Sequence, residues 1–208
     1  MSQREKVIEQ AARMFVELGI KSIRMDDIAH TLGISKRTLY EMFADKEELI
    51  YLCMKHLLDE QIREVDEIAS KSENKIEAMF CSFKMMLEGG ERHHRMMTNL
   101  QKFYPAVYEH LRTDQIRGGV GRLRKLIISY IDLGLINRNT NVDISVIVFY
   151  YTATSIMGHL NNIVLPEGVS EKSALMYAVV NFFRGIASEE GIRQIDKLVA
   201  ENDLYNIK

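Results

Sequence analysis

The most chemically suggestive stretch is Ser35-Lys36-Arg37-Thr38, with Tyr40 two residues on and Lys46 a little further. Three cations, two aliphatic hydroxyls and an aromatic side chain form no nucleophile–base pair. They are the groups that hydrogen-bond phosphate oxygens and base edges. Arg37 carries a planar fork that matches O6 and N7 of guanine, a pairing that contributes about 1–3 kcal/mol of discrimination. Lys36, Lys46 and Tyr40 suit phosphates, which position a protein without reading sequence. The bland alternative is a three-helix structural subdomain with Lys36 and Arg37 simply solvated.

Other chemistry fares less well. His93-His94 with Glu88 and Glu91 offers metal-ligand types, but no thiol pair or HExxH arrangement accompanies them, so no metal is expected. Cys53 and Cys81 form no CxxC pair and are read as buried, inert thiols, as in a reducing cytosol. GxGxxG, GxxxxGK[ST] and GxSxG are all absent from the sequence. Neither catalysis nor a cofactor is expected.

The elements that must carry the cationic stretch can be read from local signals. Ser2 followed by Glu5 has capping-box spacing, and Val7/Ile8, Ala11/Ala12, Met14/Phe15 and Leu18 then recur at helical intervals before Gly19. A short second helix is predicted over about 25–32, ended by Gly33, with Ile34 plugging the turn. Ser35 caps a third over 36–43, whose Leu39 and Phe43 share an inner face while Lys36 and Tyr40 share another. Asp45 with Glu48 caps a fourth, running from 46 to about 68. Helix, glycine turn, short helix is a helix-turn-helix pattern.

Further helices are predicted at about 75–87, 91–102, 105–133, 143–163, 170–188 and 190–200. Pro105 suits a first turn, and Gly118, Gly119 and Gly121 weaken the long helix around them. The expected fold class is all-α: an N-terminal three-helix helix-turn-helix domain over residues 1–45, plus a larger helical domain over 46–208. Only 2 prolines and 12 glycines in 208 residues suit long helices.

Charge restricts the reading. The chain holds 27 Lys+Arg against 29 Asp+Glu, and residues 1–50 hold 8 against 9, so DNA contact must rest on local placement rather than net charge. The charged N-terminus lacks the apolar core of a secretory signal. The apolar run 144–157 is shorter than the roughly 20 residues that span a bilayer. A soluble, cytoplasmic protein without membrane partners is expected.

The stretch Met25-Asp26-Asp27-Ile28-Ala29, Leu32-Gly33-Ile34-Ser35-Lys36-Arg37-Thr38-Leu39-Tyr40, then Phe43 and Lys46-Glu47-Glu48-Leu49, resembles the DNA-binding signature of the TetR (tetracycline repressor) family. Phe182-Phe183-Arg184-Gly185-Ile186 is similar to that family's last-helix pattern. The resemblance implies that helix three enters the major groove and that Lys46 touches the backbone. Arg24, Met25, Ser35, Lys36, Arg37, Thr38, Tyr40 and Lys46 are then the expected DNA-contacting set. Three departures stand out: Arg37 where many members have glycine, Arg24 where a threonine often caps helix two, and Leu32 for a common alanine.

The resemblance also implies a homodimer, built as a four-helix bundle from the helices near 143–163 and 170–188. Ile147, Tyr151, Ala174, Ala178, Phe182 and Phe183 are its expected interface. A small-molecule effector is implied too. The Met- and Tyr-rich middle of the chain suits an adaptable site for an apolar or aromatic ligand, with Phe83, Met86, His94, Met97, Phe103, Tyr104, Tyr108, Tyr130 and Tyr151 as candidates and His159 as a further polar contact. Any one of them is more often plain core. The function expected is a ligand-responsive regulator of transcription, a repressor released from a palindromic operator. The rivals are a helical carrier or enzyme with a structural head, and an activator on the same scaffold.

Overall fold

The computed structural model describes residues 2–88, 90–157 and 165–202, and the regular elements among them are α-helices: α1 Gln3–Leu18, α2 Met25–Thr31, α3 Lys36–Met42, α4 Lys46–Lys71, α5 Lys75–Glu88, α6 Gly90–Phe103, α7 Pro105–Asp132, α8 Val142–Met157, α9 Glu171–Ile186 and α10 Glu189–Glu201. Side chains at 88, 90–94 and 157 also lie outside the description. The all-α expectation holds. Spatial proximity groups the chain into two compact units, Met1–Asp66 with Gly89–Gln115 and Glu67–Glu88 with Ile116–Lys208.

In the first unit α1 starts as its sequence dictates. The Ser2 hydroxyl accepts from the Glu5 N–H, while the Glu5 carboxylate accepts from the Ser2 N–H at 2.6 Å, which holds its pKa below the usual range. Val7, Ala11, Ala12 and Phe15 bury one face of α1. They share a core with Ile28, Leu39, Phe43, Leu49, Ile50 and Cys53, and with Leu100, Val107 and Leu111 from α6 and α7. Burial pushes the Cys53 thiol well above its ordinary range, and its Sγ lies 3.3 Å from the Ile8 carbonyl. Across α4 and α7, the Tyr51 hydroxyl donates to Asp114 at 2.5 Å under a stacked His110 ring. That hydrogen bond, with burial, pushes the Tyr51 phenol up to about 12.

The second unit packs α8 on α9, and α10 on α5 and α9. Phe80 and Phe183 are fully buried there, and Phe83, Phe149 and Phe182 pack around them with ring centroids 5.0–6.3 Å apart. Aromatic pairs at such spacing add to plain area burial. The Tyr130 hydroxyl donates to the Lys75 carbonyl at 2.5 Å, and burial pushes its phenol up to about 12. Gly119 is needed because the Tyr150 hydroxyl occupies the space a Cβ would take. The loop after α7 is pinned to the α9–α10 junction by an isolated bridge between Ile136 and Ala187 and by the Ser188 N–H on the Leu135 carbonyl at 3.0 Å.

Some expectations shift. Helix α4 runs to Lys71, past the predicted 68, and the Asn74 side chain caps α5 by accepting from the Glu77 N–H at 3.1 Å. Cys81 is exposed rather than buried, because α5 turns Ile76, Met79 and Phe80 inward and leaves position 81 on the outer face. The predicted extension of α8 over 158–164 lies outside the described residues.

Candidate nucleic-acid interface

Helix α2 ends in a paired reversal. The Gly33 N–H bonds the His30 carbonyl at 3.1 Å and the Ile34 N–H bonds the Ala29 carbonyl at 3.0 Å, with Gly33 at φ +63°. This Schellman arrangement satisfies carbonyls at the helix end and needs a residue that tolerates positive φ. Ser35 then caps α3, its Oγ accepting from the Thr38 N–H at 3.0 Å. Leu39 and Phe43 are at most 1% exposed and anchor the inner side. Lys36, Arg37, Tyr40 and Glu41 are left on the outer side.

That outer face is laced with charge pairs. The Lys36 ammonium sits 2.8 Å from Asp26 on α2, and the hydrogen bond between them raises the lysine's pKa. Arg37 Nε donates to Glu41 Oε1 at 2.9 Å, one turn along α3. The Arg37 side chain is 89% exposed, so its outer edge is open to a partner. Tyr40 lies exposed beside it, and Arg24 is exposed at the start of α2. Thr38 is half-buried, its hydroxyl shared with that of Ser35 at 2.8 Å.

Two members of the expected set behave differently. The Met25 side chain is 5% exposed and packs inward with Ile28 and Ala29, because α2 is amphipathic and position 25 falls on its core side. Only its backbone could meet DNA. Lys46 is half-buried. Its ammonium donates to the Ile20 carbonyl at 2.7 Å and to the Tyr104 hydroxyl at 3.0 Å, with the Tyr104 ring centroid 5.4 Å away. Two of its three N–H donors are thus engaged within the protein, leaving one for a phosphate.

The expected ligand residues are divided between the units. Met97, Tyr104 and Tyr108 pack against the core of the first unit, and Phe103 there faces the Lys21 ammonium at 4.5 Å. Tyr104 is occupied by Lys46. In the second unit Phe83 packs into the phenylalanine cluster and Met86 is 42% exposed. The Tyr130 hydroxyl is spent on Lys75, which removes it as a free polar contact. Tyr151 is 73% exposed, too open to wall a closed cavity within one chain. The His94 side chain and His159 lie outside the described residues. A cavity of about 400 Å³ opens between Glu73, Asn74, Lys75, Leu133, Leu135 and Gln194, and none of the expected ligand residues lines it.

At the expected dimer surface Ile147 and Tyr151 are exposed, and Ala174, Ala178 and Phe182 are half-buried. Phe183 is 1% exposed and must be struck from that set: one step along α9 rotates it about 100° into the core. The apolar surface is instead enlarged by residues not foreseen, Ile144 and Val148 on α8 and Tyr177 on α9, each at least half exposed. Helical spacing could have found the first two, Ile144 three residues before Ile147 and Val148 three before Tyr151. The counter-ions Asp26 and Glu41 were also missed; Glu41 was visible as the i+4 neighbour of Arg37, whereas Asp26 reaches Lys36 only through the turn.

Residues 7–51 match the profile described as bacterial regulatory proteins, tetR family. Over 149 residues the chain is 27% identical to the HTH-type transcriptional repressor KstR2 of Mycobacterium tuberculosis, covering 72% of this chain and 74% of that protein. Its fold is similar to that of a transcriptional regulator from Cytophaga hutchinsonii, with a TM-score of 0.69 at 17% identity over 88% of this chain and 98% of the other. It is also similar to SmeT, the repressor of the Stenotrophomonas maltophilia multidrug efflux pump SmeDEF, with a TM-score of 0.61 at 15% identity over 91% of this chain and 92% of the other.

Proposed function

We propose that this chain is a regulator of the TetR family, a dimeric repressor that a small apolar or aromatic molecule releases from a palindromic operator. The observation that carries the reading is α3: two buried anchors, Leu39 and Phe43, beneath an outer face of Lys36, Arg37 and Tyr40. In this reading residues 1–45 are the DNA-binding domain and 46–208 the ligand-binding and dimerisation domain. Arg37 reads a base. Arg24, Lys36, Tyr40 and the remaining Lys46 donor meet phosphates, and the backbone at Met25, Ser35 and Thr38 lies alongside.

The exposed row Ile144, Ile147, Val148 and Tyr151 on α8, with Tyr177 on α9, supports a second copy of the chain as its cover. Dimerisation would set two α3 helices into successive major grooves about 34 Å apart. The effector would favour a head separation that misses this spacing; a differential affinity of about 5.5 kcal/mol reverses a 1:99 population. The protein would act in the cytoplasm, by binding rather than catalysis. No helix among the described residues is long and apolar enough to cross a membrane.

The test is binding of the full-length protein to the DNA upstream of its own gene, across a salt series, with Arg37→Ala and Lys46→Ala alongside. Sequence discrimination should fall with the first, and general affinity and salt slope with the second. A wild type without salt-sensitive, sequence-selective binding would remove the reading. Target transcripts should rise in a deletion strain; a fall would make the protein an activator. The relative KstR2 is a ketosteroid transcriptional regulator, so ketosteroids head the compounds to be screened for release.

A further inference from the structure

The outer face of α3 is not a bare row of cations. Asp26 neutralises Lys36, and Glu41 neutralises Arg37. Both carboxylate side chains are 60% exposed, on the side that would approach a polyanion. Each repels phosphate, so each weakens the sequence-independent attraction that supplies most non-specific binding.

Stability does not account for the Arg37–Glu41 pair. An exposed i,i+4 ion pair contributes little to folding, and α3 is already fixed by Leu39, Phe43 and the Ser35 cap. Geometry gives the pair a different meaning. Nε is the inner N–H of the guanidinium, and Glu41 takes it at 2.9 Å. The two terminal amino groups then form the free edge, a parallel donor pair that matches guanine O6 and N7. An arginine with an 89% exposed side chain has much rotamer freedom to lose on docking, and a carboxylate one turn along removes part of it in advance. Lys36 differs, since an ammonium has no fixed fork to aim.

Resting on the reading above, we propose that Glu41 is a specificity-determining positioning residue. Its carboxylate aims Arg37 at one guanine and, by its charge, lowers affinity for DNA that lacks that guanine. Glu41 itself touches no base. The protein thereby gives up general grip for a larger ratio between its site and the rest of the genome, the quantity that governs occupancy.

The probe is a duplex selected by the full-length wild type from a randomised pool. Dissociation constants are measured on it, on versions changed at each G·C pair, and on a scrambled duplex across salt. The proteins are wild type, Arg37→Ala, Glu41→Gln, Glu41→Ala and Arg37→Ala/Glu41→Ala, each checked for helicity by circular dichroism. Arg37→Ala should flatten discrimination at one G·C pair. Glu41→Ala should lose about tenfold at that same pair, within the range of one bidentate contact, while binding scrambled duplex more tightly. Glu41→Gln, which retains an accepting oxygen, should keep most of the discrimination yet share the tighter scrambled binding. In the Arg37→Ala background the second substitution should change nothing further at that pair.

Intact discrimination in Glu41→Ala overturns the proposal and leaves the regulator reading standing. So does a loss that falls on another base pair or persists without Arg37. A wild type that enriches no sequence overturns both.

Discussion

The bond between Lys46 and Tyr104 can be tested by replacing Tyr104 with phenylalanine, which keeps the ring and removes only the hydroxyl. A hydrogen bond from a charged donor contributes about 1.5–3 kcal/mol. This one is 3.0 Å long and partly buried, and the ammonium keeps its 2.7 Å bond to the Ile20 carbonyl, which places the expected loss near the lower bound, about 1.5 kcal/mol. Lys46→Met also leaves the Ile20 carbonyl without that donor, and should cost about 3 kcal/mol. The double variant should fall short of the sum by roughly 1 kcal/mol, because the second change removes a group that has already lost its partner. Urea unfolding at one fixed protomer concentration supplies all four values. DNA binding gives an independent arm. Tyr104→Phe keeps the charge and should leave the salt slope unchanged, whereas Lys46→Met should lower it by about 0.9 for each phosphate the ammonium no longer neutralises. Additivity within about 0.3 kcal/mol would refute the reasoning, since non-interacting sites add that well.

Three other outcomes are expected. Ile147→Glu with Tyr151→Glu should convert a dimer to a monomer in sedimentation velocity, with helicity preserved; a variant that still sediments as a dimer places the interface elsewhere. Gly119→Ala should lower stability by about 1–3 kcal/mol by overpacking, and Tyr150→Phe should recover part of that loss, because the hydroxyl is the nearest obstructing atom. Tyr130 ionises near 12 in the folded chain against about 10 unfolded, so its contribution is complete below pH 10 and declines by about 2.7 kcal/mol as pH rises from 10 to 12. Alkaline unfolding of the wild type minus that of Tyr130→Phe isolates this effect, and parallel curves would contradict it.

What the sequence revealed was largely what neighbours along the chain decide. The Ser2–Glu5 cap, the Gly33–Ile34 reversal, the Ser35 cap and the inward pair Leu39 and Phe43 each depend on residues within five positions, and all are present. Groups paired through space were not legible. Nothing local indicates that Lys46 turns toward a tyrosine 58 positions away, or that Asp26 meets Lys36 across the turn. Rotation about a helix was the other obscure quantity. In a helix apolar on most sides, such as α9, Phe182 and Phe183 look alike until the partners of α9 are known, and only then does 183 become core. The ligand candidates rest on a signal that does not separate two roles: aromatic and methionine content signals apolar packing, and packing against another ring looks the same in sequence as packing against a ligand.

The shared core of the first unit bears on how this protein can be dissected. Leu100, Val107 and Leu111, none more than 6% exposed, belong to the same core as the buried residues of α1, α3 and α4. A fragment cut after the third helix would lose those closing side chains and the first turns of α4 together, leaving Phe15, Phe43 and their neighbours open to water. Chimaeras that graft these reading helices onto a foreign body should therefore bring the second half of α6 and the opening turns of α7 with them. Grafts spliced at residue 45 should be recovered mainly as aggregates.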